Sequence, residues 1–241
     1  IERRTSARAD KVVCVSRSVS DYCAARLRIP ADKLAVIPNG IAAEAYTDVQ
    51  PADLADFGLS PGRRAIVFVG RLHRQKGLDW LFSFSPRLFE QLPGHDLLLV
   101  GDGPQRRRLE SRVQALGLDG RVHFAGWSPR VPQILRASEL LILPSRWEGM
   151  PNVLLEAMAA SLPIVTTRVE GVEELLGPLA EEQSVAFGDQ AAFVDRLRRL
   201  AEDRQLAAGL GRQNRERVER QFSWRTTLRA YEELYTSLAT P

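Results

Sequence analysis

Short stretches that are apolar almost throughout recur along the middle of the chain: Ala65–Gly70, Leu97–Gly101, Val122–Ala125, Leu140–Leu143 and Pro163–Thr167. Runs this short and this continuous predict strands buried on both faces. Segments with helical spacing lie between them, over about Leu78–Leu92, Gln105–Leu116 and Val131–Ala137, then from Asn152, with a stub at Val172–Leu176. Ser184–Phe187 offers a sixth strand. Three helices close the chain, about Gln190–Ala201, Arg204–Arg220 and Trp224–Ser237. Buried strands alternating with helices predict a Rossmann-like α/β sandwich around a parallel sheet. A smaller strand–helix–strand unit precedes it. Lys11–Val15 and Leu34–Pro38 are its strands, and Ser16 or Ser18 caps a helix running to about Leu27. Asn39-Gly40 ends the unit in a turn, and Tyr46–Ala55 reads as a linker.

Composition narrows the class. The 241 residues are 44% hydrophobic and 26% charged, enough for one large domain or two small ones. No apolar run approaches the length of a membrane-spanning helix. Cys14 and Cys23 make neither a disulfide framework nor a zinc site, which points to a reduced, cytoplasmic setting. A net charge of +3 is too mild for a nucleic-acid partner. The opening residues have neither a starting Met nor the apolar core of a signal peptide, so a piece of a longer protein is expected. Arg106–Arg108 and Arg196–Arg199 form basic runs. They are either solvated helix faces or a contact for anionic lipid or a lipid-phosphate acceptor.

The densest chemistry lies between Leu140 and Thr167, a strand–loop–helix–strand pattern. Pro144, Gly149 and Pro151 punctuate the loop, Asn152 is placed to cap the helix, and Val153, Leu154, Ala157 and Met158 form its apolar stripe. Glu148 in the loop and Glu156 one turn into the helix are carboxylates in an apolar unit, costly to bury unpaired. They are suited to accept hydrogen bonds from the hydroxyls of a sugar and a ribose. The helix start between them suits a phosphate, although Pro151 contributes no N–H. Gly101-Asp102-Gly103 is a tight turn that lacks the third glycine of a dinucleotide fingerprint, Arg106 standing there. It is read as a wall of the nucleotide site.

Pro144-Ser145-Arg146-Trp147-Glu148-Gly149-Met150 followed by Glu156-Ala157-Met158-Ala159 resembles the signature of the family 4 retaining glycosyltransferases, which have the GT-B fold. The resemblance runs from Ala9 to Tyr235. It implies that Glu148 contacts the transferred sugar and Glu156 the nucleotide ribose, with Gly149, Met150, Pro151, Asn152 and Val153 lining the donor site. Gly70-Arg71 and Lys76-Gly77 resemble the family's diphosphate-holding loop, which implies that Arg71 and Lys76 neutralise the leaving group in place of a metal ion. His73 between them is read as a loop residue. Gly126-Trp127 falls where the family's base pocket lies, with Trp127 either stacking on a base or packing against its loop. The family's paired-glycine loop is matched at Gly171, but Glu170 replaces the first glycine. Ser161 replaces another glycine as a small-for-small exchange. The resemblance further implies a nucleotide-diphosphate sugar as donor, UDP foremost, no cofactor, and a carbohydrate or lipid-linked acceptor at the inner face of a membrane. The implied division is residues 1–46 as the end of an acceptor domain, 47–222 as the donor domain, and 223–241 as a helix crossing back. Leu228, Tyr231, Leu234, Tyr235 and Leu238 on that helix need a partner, either residues 1–46 or a second copy of the chain. The alternatives are a nucleotide-sugar-binding module without turnover and a nucleotide-sugar epimerase of the same fold.

Overall fold

The computed structural model describes residues 5, 6 and 8–239; the outermost residues of the 1–46 and 223–241 segments lie outside it. Among the described residues two parallel sheets form. The small one pairs β1 (Val12–Cys14) with β2 (Leu34–Val36), crossed by α1 (Arg17–Leu27). Ser16 caps α1 by accepting the Val19 N–H, and Cys14, Cys23 and Ile29 make a small core beneath it.

The large sheet contains β3 (Arg64–Val69), β4 (His95–Val100), β5 (Val122–Gly126), β6 (Leu140–Leu143), β7 (Ile164–Thr167) and β8 (Ser184–Val185), in the spatial order β5-β4-β3-β6-β7-β8. This is the doubly wound Rossmann order, and its crossovers reverse direction between β3 and β6. Every residue of β4, β6 and β7 is buried, as the continuous apolar runs require. The covering helices are α2 (Leu78–Leu81), α3 (Ser85–Gln91), α4 (Arg106–Ala115), α5 (Val131–Ala137), α6 (Asn152–Ala159), α7 (Val172–Leu176), α8 (Ala180–Gln183), α9 (Gln190–Glu202) and α10 (Arg204–Gln221). Finally α11 (Trp224–Ala239) returns to the small unit. Its first turn is tied there: Trp224 N donates to Ile41 O at 3.0 Å and Thr227 Oγ1 to Pro38 O at 3.0 Å. Beyond that turn Leu228, Tyr235 and Leu238 remain exposed.

Several elements differ from the sequence reading. The single helix expected over Leu78–Leu92 is two helices, because a continuous one would drive the Pro86 ring into the Phe82 carbonyl. Asn152 does not cap α6. Pro151 holds the cap position, and Asn152 is the first helical residue. The sixth strand stops at Val185 rather than Phe187. β4 starts two residues before its apolar run, at His95 and Asp96. Both are buried because Asp96 accepts from Arg63 (2.6 Å) and Arg121 (3.0 Å) and faces His123 (3.1 Å), while His95 faces Glu139 (3.3 Å). Burial pushes the Asp96 carboxyl up, but the hydrogen bonds from Arg63, His123 and Arg121 hold it below its ordinary value. Ser161 sits at φ +60, the left-handed region, so it is not a neutral exchange for glycine.

Candidate functional site

The strand order places a crevice beyond the carboxyl ends of β3 and β6, where the crossovers diverge. The loop leaving β3 passes Gly70 and the exposed Arg71, then tightens into a single 3₁₀ turn over Arg74–Lys76. His73 caps that turn through Nδ1, which accepts from Gln75 N, so its imidazole has a structural task. Gly77 follows at φ +66. A Cβ there would fall 1.9 Å from the Pro144 carbonyl oxygen, so only glycine allows this loop to close on the β6 loop. The two loops are also stapled by Arg146 N donating to Gln75 O at 2.7 Å and Gln75 Nε2 to Trp147 O at 2.9 Å.

This staple delivers Lys76 to Glu148. Lys76 Nζ donates to Glu148 Oε1 at 2.6 Å, with the two side chains only 16% and 7% exposed. Ser145 Oγ donates to the same oxygen at 2.6 Å. Ser145 was not singled out from the sequence, although it stands inside the quoted motif. Its carbonyl accepts from Thr167 Oγ1 on the next strand. Arg71, by contrast, makes no ion pair among the described residues and projects from the rim.

Glu156 lies one turn into α6, half-buried, and no hydrogen-bond donor reaches it among the described residues. Burial pushes its carboxyl up from 4.5 to about 7. Tyr46 lies near it, its hydroxyl also pushed upward by burial and then by the Glu156 charge. Ahead of Glu156, the first-turn amides of Asn152 and Val153 have no intrahelical partner by construction. Met150 and Pro151 are buried behind them.

The remaining candidates form the rim. Gly70 N donates to Val100 O at 2.9 Å and Gly101 N to Gly126 O at 2.7 Å, which lines up the ends of β3, β4 and β5. Leu72 N donates to Asp102 O at 2.9 Å, which ties the glycine turn to the Arg71 loop. Trp127 is 77% exposed, so it is available to stack and is not packed into its loop. The basic runs divide. Arg196, Arg198 and Arg199 are ion-paired on α8 and α9, and Arg106 pairs with Asp102 and Glu110. Arg107, Arg108 and Arg112 on α4 are exposed and make no ion pair among the described residues.

A contact set that sequence reasoning missed joins the small unit to the crevice. Glu174 accepts from Arg17 N at 2.8 Å and Ser18 N at 3.1 Å, closing the start of α1. Ser16 Oγ donates to Gly149 O at 3.0 Å, and Asn39 Nδ2 to Asn152 Oδ1 at 2.7 Å. Partners more than a hundred positions apart leave no local signal. Among the described residues no group of three or more His, Cys, Asp or Glu is arranged to hold a metal ion, and no helix is long and apolar enough to cross a membrane.

Comparison with known proteins bears on the family and the fold. The family described as glycosyl transferases group 1 matches residues 63–203, and the one described as glycosyltransferase family 4 matches residues 1–45. An Escherichia coli UDP-Gal:alpha-D-GlcNAc-diphosphoundecaprenol alpha-1,3-galactosyltransferase is 30% identical over 202 residues, taking in 81% of this chain and 52% of that protein. The lipopolysaccharide core biosynthesis glycosyltransferase LpsE of Rhizobium meliloti is 32% identical over 172 residues, 71% of this chain and 49% of its own. The chain thus spans about half the length of the curated relatives it matches. Among solved structures, sucrose-phosphate synthase of Thermosynechococcus elongatus superposes with a TM-score of 0.84 at 28% identity, covering 98% of this chain and 60% of that one. HepE of Anabaena, solved with UDP-glucose, superposes with a TM-score of 0.81 at 22% identity over 95% of this chain and 64% of that one, a likeness of fold.

Proposed function

Because the chain belongs to the group 1 glycosyl transferases, with a GT-B-type α/β fold, we propose that it is the donor-binding half of a retaining, metal-independent glycosyltransferase. It takes a sugar from a nucleotide-diphosphate sugar, UDP foremost, and passes it to a hydroxyl of a carbohydrate or lipid-linked acceptor. The observation that supports this reading is the buried Lys76–Glu148 pair on the loop that leaves β6, followed on the next helix by Glu156, which no donor reaches among the described residues. Glu156 accepts the ribose hydroxyls, which supply the donors that no group among the described residues gives it. Glu148 faces the transferred sugar, its Oε1 fixed by Lys76 and Ser145.

Arg71 and Lys76 face the diphosphate. As the bond from the sugar to the diphosphate breaks, negative charge grows on the leaving oxygens, and fixed cations beside them lower the barrier. This supports doing without a divalent ion. The retaining outcome rests on the signature around Glu148 and Glu156. Residues 1–46 belong, in this reading, to an acceptor-side domain, 47–222 to the donor domain, and 223–241 to a crossing helix whose exposed stripe meets that domain or a second copy. The unpaired Arg107, Arg108 and Arg112 supply a contact for an anionic membrane surface at its cytoplasmic face.

Calorimetry with UDP and a UDP-sugar tests the roles. Glu156→Ala should weaken both by roughly 1–3 kcal/mol. Glu148→Ala should weaken only the sugar nucleotide, and equal losses for both ligands would remove its sugar-contact role. The second reading is a nucleotide-sugar-binding module without turnover. Transfer by this chain alone to a panel of acceptors would exclude that second reading.

A further inference from the structure

The connection from β7 to α7 and the first turn of α7 carry three more carboxylates beside the crevice, Glu170 in the connection and Glu173 and Glu174 in the helix. Their surroundings differ. Glu174 is held by the amides that open α1, at 2.8 and 3.1 Å. Glu173 pairs with Arg168 at 3.5 Å. Glu170 is exposed, and no cation pairs with it among the described residues. Its one hydrogen bond among the described residues is from the backbone N–H of Glu148 to Oε2, at 3.3 Å.

The backbone fixes that placement. Gly171 stands at φ +76, and a Cβ there would lie 2.4 Å from the Gly149 carbonyl oxygen and 3.0 Å from Met150 Cα. The two loops therefore meet backbone to backbone, and the side chain just before Gly171 must stand at Glu148. The nearby cations are already engaged. Lys76 pairs with Glu148 at 2.6 Å, its charge shared between that carboxylate and the diphosphate it is proposed to face, and Arg168 turns to Glu173 and Ser184. The sugar side of the crevice thus carries one uncompensated negative charge, whereas the diphosphate side carries the unpaired Arg71.

We propose that Glu170 is a specificity-determining residue of the donor site: it turns away donors whose sugar bears a carboxylate and admits neutral or amino sugars. The proposal rests on the reading that Glu148 faces the transferred sugar. Two like charges about 6 Å apart lower affinity between about threefold and a hundredfold as the effective dielectric constant goes from roughly 80 to 20. A partly exposed site falls near the middle, about tenfold.

The test is calorimetric titration of UDP, UDP-glucose and UDP-glucuronate into the wild-type chain, E170Q and E173Q, at low and high salt. Glutamine keeps the length and the acceptor toward Glu148 N–H and removes only the charge. Wild type is expected to prefer UDP-glucose over UDP-glucuronate by at least about tenfold, less so in high salt. E170Q should cut that preference about tenfold with UDP affinity unchanged, and E173Q should leave it as it was. An unchanged preference in E170Q, with UDP-glucose still bound, overturns the role of Glu170 and leaves the donor site standing. An equal effect from E173Q overturns it too, since the charge would then act without regard to place. If wild type binds none of the three, the donor-site reading falls and takes this proposal with it.

Discussion

Glu156→Gln should stabilise the unliganded protein while weakening the ligand that the site is built for. The carboxyl titrates at about 7 in the fold against an ordinary 4.5, because burial penalises its charged form. Its contribution to stability is complete below pH 4.5, where folded and unfolded chains both hold the proton. It is lost as pH rises through 7, where the half-buried group must ionise. A displacement of this size corresponds to about 3 kcal/mol at pH 8 and under about 1 kcal/mol at pH 5. Glutamine imitates the protonated form at every pH. The variant should therefore melt roughly 6–12 °C above wild type at pH 8 and converge on it at pH 5, at roughly 2–4 °C per kcal/mol for a chain of this size. Differential scanning calorimetry at the two pH values measures this. A stability difference that does not change with pH, or a loss at pH 8, would refute the claim that an unpartnered buried charge sits at Glu156. In the proposed donor site the same charge accepts from the ribose hydroxyls, so on that proposal nucleotide affinity of the wild type should climb between pH 6 and 8 and that of the variant should stay flat.

Ser161→Gly should raise stability by about 1 kcal/mol in urea titrations, because it relieves a left-handed backbone at φ +60. Asp96→Asn should cost about 3–5 kcal/mol by leaving Arg63 and Arg121 without their shared carboxylate. In the wild type that contribution is present above the ordinary carboxyl value of 3.8 and is lost as pH falls through the lower folded value, which acid titration followed by circular dichroism would detect. Arg71→Ala should weaken UDP about tenfold and leave uridine unaffected, the effect of one charge-assisted contact to phosphate. UDP-sugar binding should survive EDTA, and recovery only on adding magnesium or manganese would refute the assignment of Arg71 and Lys76 as the diphosphate's cations.

The sheet was legible because its strands are buried on both faces and therefore read as unbroken apolar runs. Arg71, Lys76, Glu148 and Glu156 were legible as loop and helix-start residues beside those strands, and the strand order brings their loops together. What escaped was non-local. His95 and Asp96 look like loop residues until Arg63, Arg121, His123 and Glu139 arrive from three other segments to neutralise them. The α2–α3 break was written in Pro86, yet the apolar pattern runs through it. Pro151 at the cap position and Ser161 in a left-handed turn are backbone facts that no periodicity reports. The Glu174–α1 contact joins positions 157 and 156 residues apart.

Where Gly77 meets Pro144, main chain touches main chain with no room for a side chain between. In evolutionary terms such a seam is closed to exploration: almost any substitution breaks the joint rather than tuning it. Inheritance can keep the seam or lose the site. On the proposed donor site, variation in what the pocket accepts is channelled outward, to positions whose side chains stand free of the joint, such as Trp127 and Glu170. Descendants of one ancestral scaffold can then diverge in diet while their frame stays fixed.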